Sequence, residues 1–288
     1  MMMEKRTEQK KASALEVNYF MVAFLDLLGQ KDAMNKFKGL PNIKNEKEME
    51  EFYSICRETF GAINTLHSLI KDFFDGYLKE SILDRVIPRT DIKFQRFSDG
   101  LVIFVSLRQN LNEVPVQGIF GVLGACASVC LGHLAVGKPL RGGIEVGLGI
   151  EMNENELYGP VIAEAFNLEN RVARYPRIVV GKVLMDYLWK KKTLAATDPN
   201  SKYASELANC CLELLVSDLD GYPIIDYLGE GFIKHMADKL DSKLFMMAHD
   251  YVKKQLDVWK KEQNTKLAFR YNFLINYFES RNRLWKNK

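Results

Sequence analysis

The sequence predicts an α+β fold, with a mixed or antiparallel sheet covered by helices. Three observations predict it. Apolar runs of strand length, rich in branched and aromatic residues, alternate with segments whose apolar residues return every three to four positions. Two pairs of short apolar runs are joined by turn formers, Ser98-Asp99-Gly100 and Asp218-Leu219-Asp220-Gly221, which is the pattern of hairpins and hence of antiparallel pairing. Of the 288 residues, 47% are hydrophobic and 27% charged, enough for a full core and far from a disordered or low-complexity composition.

The elements follow in order. Residues 1–15 are polar and read as a flexible N-terminus. Val17 to Leu27 is an unbroken run of branched and aromatic residues, so a central strand. Gly29 to Asn45 reads as irregular, with Gly39, Pro41 and Asn42 marking a loop. From Glu46 to Leu78, residues Phe52, Ile55, Phe60, Ile63, Leu66, Ile70 and Phe73 return to one helical face. Ile92–Phe97 and Leu101–Leu107 form the first hairpin. Val114 to Gly137 carries no charged residue and is long enough to cross a bilayer. Its Pro115, Gln117, Ser128, His133 and five glycines, with no aromatic belt, instead predict a buried helix over 116–135 and no membrane partner. His133 is expected to be hydrogen-bonded in the core or at its rim. Leu140–Met152 is a strand, Pro160–Arg174 a helix, Arg177–Val180 a strand and Val183–Lys191 a helix. Thr197–Lys202 reads as a loop, Leu212–Val216 and Tyr222–Tyr227 as the second hairpin, and 232–285 as helical. The chain thus divides into the N-terminus, a compact domain over 16–195, and a hairpin-and-helix extension over 196–288 packed on it.

Forty Lys and Arg against 37 Asp and Glu leave a net charge of +3, too balanced for a nucleic-acid binder. The basic clusters Lys5, Arg6, Lys10, Lys11 and Arg281, Arg283, Lys286, Lys288 read as solvated ends. The five cysteines and a charged start without an apolar leader point to reduced thiols and a cytoplasmic location. Cys126 and Cys130 read as small core residues. Four scattered histidines give no zinc spacing, and neither a Ser/His/Asp arrangement nor a Walker loop is present.

Two carboxylates stand out. Asp26 ends an otherwise apolar strand, and Asp99 sits at a hairpin tip between Phe97 and Leu101. An acid at the mouth of a buried strand is costly unless it is paired or metal-bound. If their strands are neighbours, both carboxylates reach one point and suit oxygen-liganded cations completed by substrate phosphates. Taken singly, Asp26 would serve as a helix cap and Asp99 as an ordinary turn residue.

Four motifs in order carry a resemblance across residues 17–190. They are Phe24-Leu25-Asp26-Leu27-Leu28-Gly29, the hairpin bearing Asp99, Arg141-Gly142-Gly143-Ile144-Glu145-Val146-Gly147, and the helix led by Gly159. Together they resemble class III nucleotidyl cyclases. The resemblance implies a ferredoxin-like βαββαβ core acting as a head-to-tail homodimer with active sites at the interface. It implies two divalent cations, Mn²⁺ or Mg²⁺, held by Asp26, Asp99 and the Leu27 carbonyl. The turn of Leu28, Gly29 and Gln30 would offer backbone N–H groups to the phosphates. Where adenylyl and guanylyl cyclases read the purine with Lys or Glu stands Gln95, and where they carry a ribose Asn and a transition-state Arg stand Ala163 and Asn167.

The stretches Tyr158 to Glu169 and Tyr175-Pro176-Arg177-Ile178-Val179-Val180 are similar to the pyrimidine cyclases of the bacterial Pycsar anti-phage system. That implies conversion of UTP or CTP to a 3′,5′-cyclic mononucleotide and pyrophosphate, as a signal for a separate effector protein. Arg96, Arg171 and Tyr53 are the candidates to replace the missing family contacts, Arg171 as the catalytic cation one turn beyond Asn167. The Gln95 amide both donates and accepts, and Arg96 offers donors suited to O4 of uracil, which favours UTP over CTP. Strand alternation points Gln95 and Arg96 to opposite faces. The alternatives are a divergent adenylate or guanylate cyclase and a cyclase-shaped dimerisation or binding module without chemistry.

Overall fold

β1, Val17–Leu27, is paired along both edges, antiparallel to β3 (Gly100–Ser106) on one side and to β4 (Leu140–Asn153) on the other. From Phe20 to Leu25 every residue is buried, on whichever face it lies, which accounts for the apolar run. The computed structural model describes residues 17–29, 45–80, 91–97, 100–108, 114–153, 155–195, 197–236 and 241–286. The expected flexible N-terminus and most of the 29–45 loop lie outside these, as do Gln30 and Asp99.

The sheet runs β2-β3-β1-β4-β6-β8-β7, with β2 at Ile92–Phe97, β6 at Ile178–Val180, β7 at Leu215–Ser217 and β8 at Pro223–Ile225. β5 (Glu156–Tyr158) pairs with the far end of β4. Only β4–β6 is parallel among these pairs, so the sheet is mixed and the fold is α+β. β1, helix α1 (Glu46–Glu80), β2, β3, helix α2 (Pro115–Ala135) and β4 follow one another in the chain.

Alternation splits the core in two. Met21, Ala23 and Leu25 join Leu101, Ile103, Val105, Ile144 and Val146 in the larger core with α1 and α2. Phe20, Val22 and Phe24 join Val102, Phe104, Leu157, Val161 and Ala165 in a smaller core under helix α3 (Pro160–Asn167). α2 is buried on nearly every side, and Cys126 and Cys130 lie within it as small core residues. It is the one helix among the described residues long and apolar enough to cross a membrane, and 89% of its most apolar window is inside the protein. His133 is buried on α2, and burial holds its pKa below the ordinary value.

Four elements differ from the sequence reading. The helix expected over 160–174 stays α-helical only to Asn167 and widens into a π turn over Leu168–Val172. The expected Thr197–Lys202 loop becomes helix α5, Pro199–Glu213, following α4 (Lys182–Thr193). Asp198 caps α5 by accepting from the N–H groups of Asn200 and Ser201, with Pro199 in the first turn, which is a helix start rather than a loop. The strand expected from Leu212 therefore starts at Leu215. Three-residue β5 was too short to give a pattern. Beyond β8 the chain forms α6 (Glu230–His235), α7 (Lys243–Lys261), α8 (Thr265–Ser280) and α9 (Asn282–Trp285).

The π turn sits directly on β4. A Cβ on Gly143 would lie 2.2 Å from the Ala165 carbonyl oxygen and 2.7 Å from the Glu169 nitrogen, so only glycine admits this approach. Gly143→Ala is expected to destabilise by about 1–3 kcal/mol, as overpacking does. Gly132→Ala in α2, where a Cβ meets nothing within 4 Å, should gain about 0.5–1 kcal/mol. Urea denaturation checks both, and equal midpoints would refute the close-packing argument.

Candidate functional site

Asp26 lies opposite Arg141 in the β1–β4 register and opposite Gly100 in the β1–β3 register. Its side chain is 19% exposed. Arg141 donates to Asp26 Oδ2 from Nε at 3.3 Å and from Nη2 at 3.2 Å. The same Nε lies 2.5 Å from Oε1 of Glu169, which is only 2% exposed. One guanidinium therefore serves two carboxylates, the buried one at the shorter distance.

The sequence explains Glu169. Val161, Ala165, Glu169 and Ala173 are spaced by four and all are buried, so Glu169 continues an apolar row. A carboxylate there requires a cation, and Arg141 provides it. That row was the signal for Glu169, which the sequence reading passed over.

Glu145 lies on the same sheet face, two residues beyond Gly143. Its Oε1 accepts from the N–H groups of Val146 at 2.8 Å and Leu184 at 2.9 Å, satisfying the first turn of α4. Burial pushes its pKa above the ordinary glutamate value; the Val146 and Leu184 bonds oppose that and Glu164 adds to it.

The remaining candidates separate. Gln95 shares the Asp26 face, but its Oε1 accepts from the Leu157 N–H at 3.1 Å, which ties it to β5. Arg96 belongs to the opposite face, close enough to His67 of α1 to lower that imidazole's pKa, where burial is the larger cause. Tyr53 is 54% exposed on α1, the helix of that opposite face. Arg96 and Tyr53 are thus not brought to Asp26. The Leu28 N–H donates to the Pro139 carbonyl at 2.9 Å and is not open to a phosphate, and Leu27 is buried. Gly29 is exposed with φ +94°. Asn167 closes α3, and Arg171 is exposed on the π turn.

Beside Asp26 stands an aromatic group the sequence reading did not single out. The Phe24 ring packs at 6.0 Å on Phe97 and at 5.3 Å, edge to face, on Phe166 of α3. Phe97 and Phe166 remain about two-fifths exposed, at 40% and 43%.

The π turn is braced from behind. Arg177, 4% exposed, donates to the Val172 carbonyl at 2.8 Å and to both Asp220 oxygens, and it pairs with Asp218. Tyr175 donates to Asp218 at 2.5 Å, and burial, then that bond, pushes its pKa up. Both acids come from the β7–β8 turn.

Among the described residues no group of three or more His, Cys, Asp or Glu gathers as a metal site. Asp26 is a hard oxygen donor of the kind Mg²⁺ and Mn²⁺ prefer, and Asp99 immediately precedes its register partner Gly100. The donor chemistry at this position fits such an ion. No family model, curated protein or solved structure matches the chain.

Arg141→Met leaves Glu169 buried without its cation and is expected to cost about 3 kcal/mol, whereas the double variant with Glu169→Leu should recover most of that. A double-mutant cycle in urea reads the coupling, and additive effects would refute the pair. Glu145 has a second signature. Its raised folded pKa means the folded state binds the proton more tightly than the unfolded chain, so its contribution falls as pH rises from about 4.3. The stability difference between the protein and Glu145→Gln should decline through that window and then level. A flat difference from pH 4 to 7 would overturn it.

Proposed function

We propose that the chain is a nucleotide cyclase that converts a pyrimidine nucleoside triphosphate, UTP ahead of CTP, to the 3′,5′-cyclic mononucleotide and pyrophosphate. The observation that carries this reading is the position of Asp26. It is a half-buried acid at the end of the central strand, its register partner is preceded by a second acid, and an arginine and half-exposed aromatic rings adjoin it. The antiparallel order β2-β3-β1-β4, from chain order β-α-β-β-α-β, agrees with the ferredoxin-like core that the cyclase resemblance implies.

In this reading Asp26, Asp99 and the Leu27 carbonyl hold the divalent ions, Mn²⁺ or Mg²⁺. When bound, such ions acidify the ribose 3′-hydroxyl and neutralise the charge developing at phosphorus. Arg141 places a fixed positive charge at the same point. Phe97 and Phe166 offer faces on which a pyrimidine stacks. Gln95 has its oxygen engaged by Leu157, which leaves its NH₂ to donate, and a donor suits O4 of uracil better than the amino group of cytosine. The working unit is a cytoplasmic homodimer, and a separate effector reads the product in anti-phage defence.

A second reading has one observation in its favour. Asp26 is already neutralised by Arg141, as it would be in a cyclase-shaped binding module without chemistry.

Incubating the protein with each of the four nucleoside triphosphates and Mn²⁺, with products identified by mass, decides between them. Cyclic UMP is expected, with turnover abolished in Asp26→Ala and in Asp99→Ala. Preference for ATP or GTP would overturn the pyrimidine assignment. Absence of any conversion by folded dimer would favour the silent module.

A further inference from the structure

β7 ends the sheet, with β8 as its one partner strand among the described residues. The Asp226 N–H donates to the Leu214 carbonyl and the Asp218 N–H to the Tyr222 carbonyl, each at 2.9 Å, on either side of the Val216↔Ile224 pair. Alternate residues of an antiparallel strand turn their N–H and C=O to the same neighbour. Leu214, Val216 and Asp218 are thus committed to β8, and Leu215 and Ser217 turn theirs to the open edge. β2, at the other end of the sheet, carries Lys93 and Arg96, charges of the kind that blunt an edge. β7, Leu215-Val216-Ser217, carries none.

A groove of about 340 Å³ lies along this edge, and all three β7 residues line it. Consecutive strand residues point to opposite faces, so a groove touched by all three follows the edge itself. One wall is a single face of α4, with Met185, Trp189 and Lys192 at helical spacing, and Leu212 of α5 adjoins it. Trp189 is 50% exposed. The Lys192 Nζ stands 5.0 Å from the centre of the Trp189 ring. Glu213, the one acid on the lining, is already held by Lys234 at 2.9 Å and His235 at 2.8 Å. Lys190, Lys191 and Lys192 end α4, and no carboxylate among the described residues pairs with them. A helix C-terminus offsets about half a charge, so the three stay net positive.

We propose that this edge is a docking site for an extended acidic segment of a partner protein, which adds to the sheet as a strand beside β7. Its backbone completes the bonds that Leu215 and Ser217 leave open. An apolar side chain of the segment fills the groove against Trp189 and Leu212, and an acidic neighbour meets Lys192. A second copy of this chain, paired through its own β7, would set the same lysines against one another. The inference stands apart from the cyclase reading, since the groove is formed without Asp26 or its strand.

A random library of displayed heptapeptides, panned on the full chain, supplies the probe. Fluorescence anisotropy of the selected peptide, synthesised and labelled, measures its binding. The expected peptides alternate Asp or Glu with branched or aromatic residues. Trp189→Ala should weaken binding about tenfold or more. Lys192→Glu should weaken it severalfold and reduce its salt dependence, and Lys254→Gln on α7 should leave it unchanged. Ser217→Pro removes an N–H that β8 does not use and should abolish binding while leaving the unfolding temperature close to that of the wild type. Methylating the peptide's own backbone nitrogens makes the same test on the unaltered protein. Of two peptides, each methylated on one alternate set, only one should lose binding. Recovery of no peptide, of basic peptides, or of peptides indifferent to Trp189→Ala and to methylation overturns the site. A dimer in ultracentrifugation that Ser217→Pro dissociates makes a second copy the occupant and overturns the peptide assignment.

Discussion

The contact on which the rest of the structure depends is the seating of the π turn on Gly143. Because β4 has no side chain there, the backbone of Ala165 and Glu169 comes within a distance that any Cβ would close. That approach takes Glu169 out of water. A buried carboxylate must find a cation, and Arg141, two residues before Gly143 on the same strand and face, pairs with it. Arg141 is also the register partner of Asp26. Missing atoms on one glycine thereby fix the charge beside the acid at the end of the central strand.

The two halves of this ion triad are unequal. Glu169 is the more buried and the nearer to Arg141, while Asp26 is reached at 3.2 to 3.3 Å and retains some solvent. Coulomb attraction strengthens as the local dielectric falls, so Glu169 is the firm partner and Asp26 the releasable one. Under the proposed cyclase reading, in which Asp26 takes up a cation, that asymmetry favours uptake. The arginine can stay with Glu169 without leaving a buried charge exposed to the core.

Much of this was legible in the sequence, and the limits have physical causes. β1 could be read to its end residues because both faces are buried and its composition needs no pairing partner to interpret. α2 was identified as interior, since an all-round apolar helix with glycines packs closely. Asp26 stood out because a lone acid in such a strand is costly. The π turn was not legible, because it arises from tertiary contact with Gly143 and not from local propensity. The start of α5 is ambiguous in sequence, because Asp198-Pro199 suits a turn as well as a helix N-terminus and only the cap bonds decide it. Arg96 was separated from Gln95 by strand alternation, which the sequence did announce. Phe97 and Phe166 could not be associated with Asp26 from spacing, since separate elements bring them together around Phe24.

The hairpin and helices beyond residue 196 follow from the same constraint. A π turn spends its last carbonyls outside regular helical bonding, and Val172 gives its oxygen to Arg177. Arg177 is itself almost wholly buried and would be untenable with that one acceptor. Asp218 and Asp220 of the β7–β8 turn supply its counter-charge, and they reach it because β8 joins the sheet beside β6. The helices that follow are tied to β8 in turn. Buried Asp226 accepts from Arg281 at 2.6 and 3.0 Å and from the Tyr277 hydroxyl at 2.7 Å. Paired buried charges therefore tie the β7–β8 turn and the terminal helices to the sheet, and the π turn joins them to Glu169 and Arg141. The C-terminal extension thus belongs to the scaffold that holds the π turn on β4.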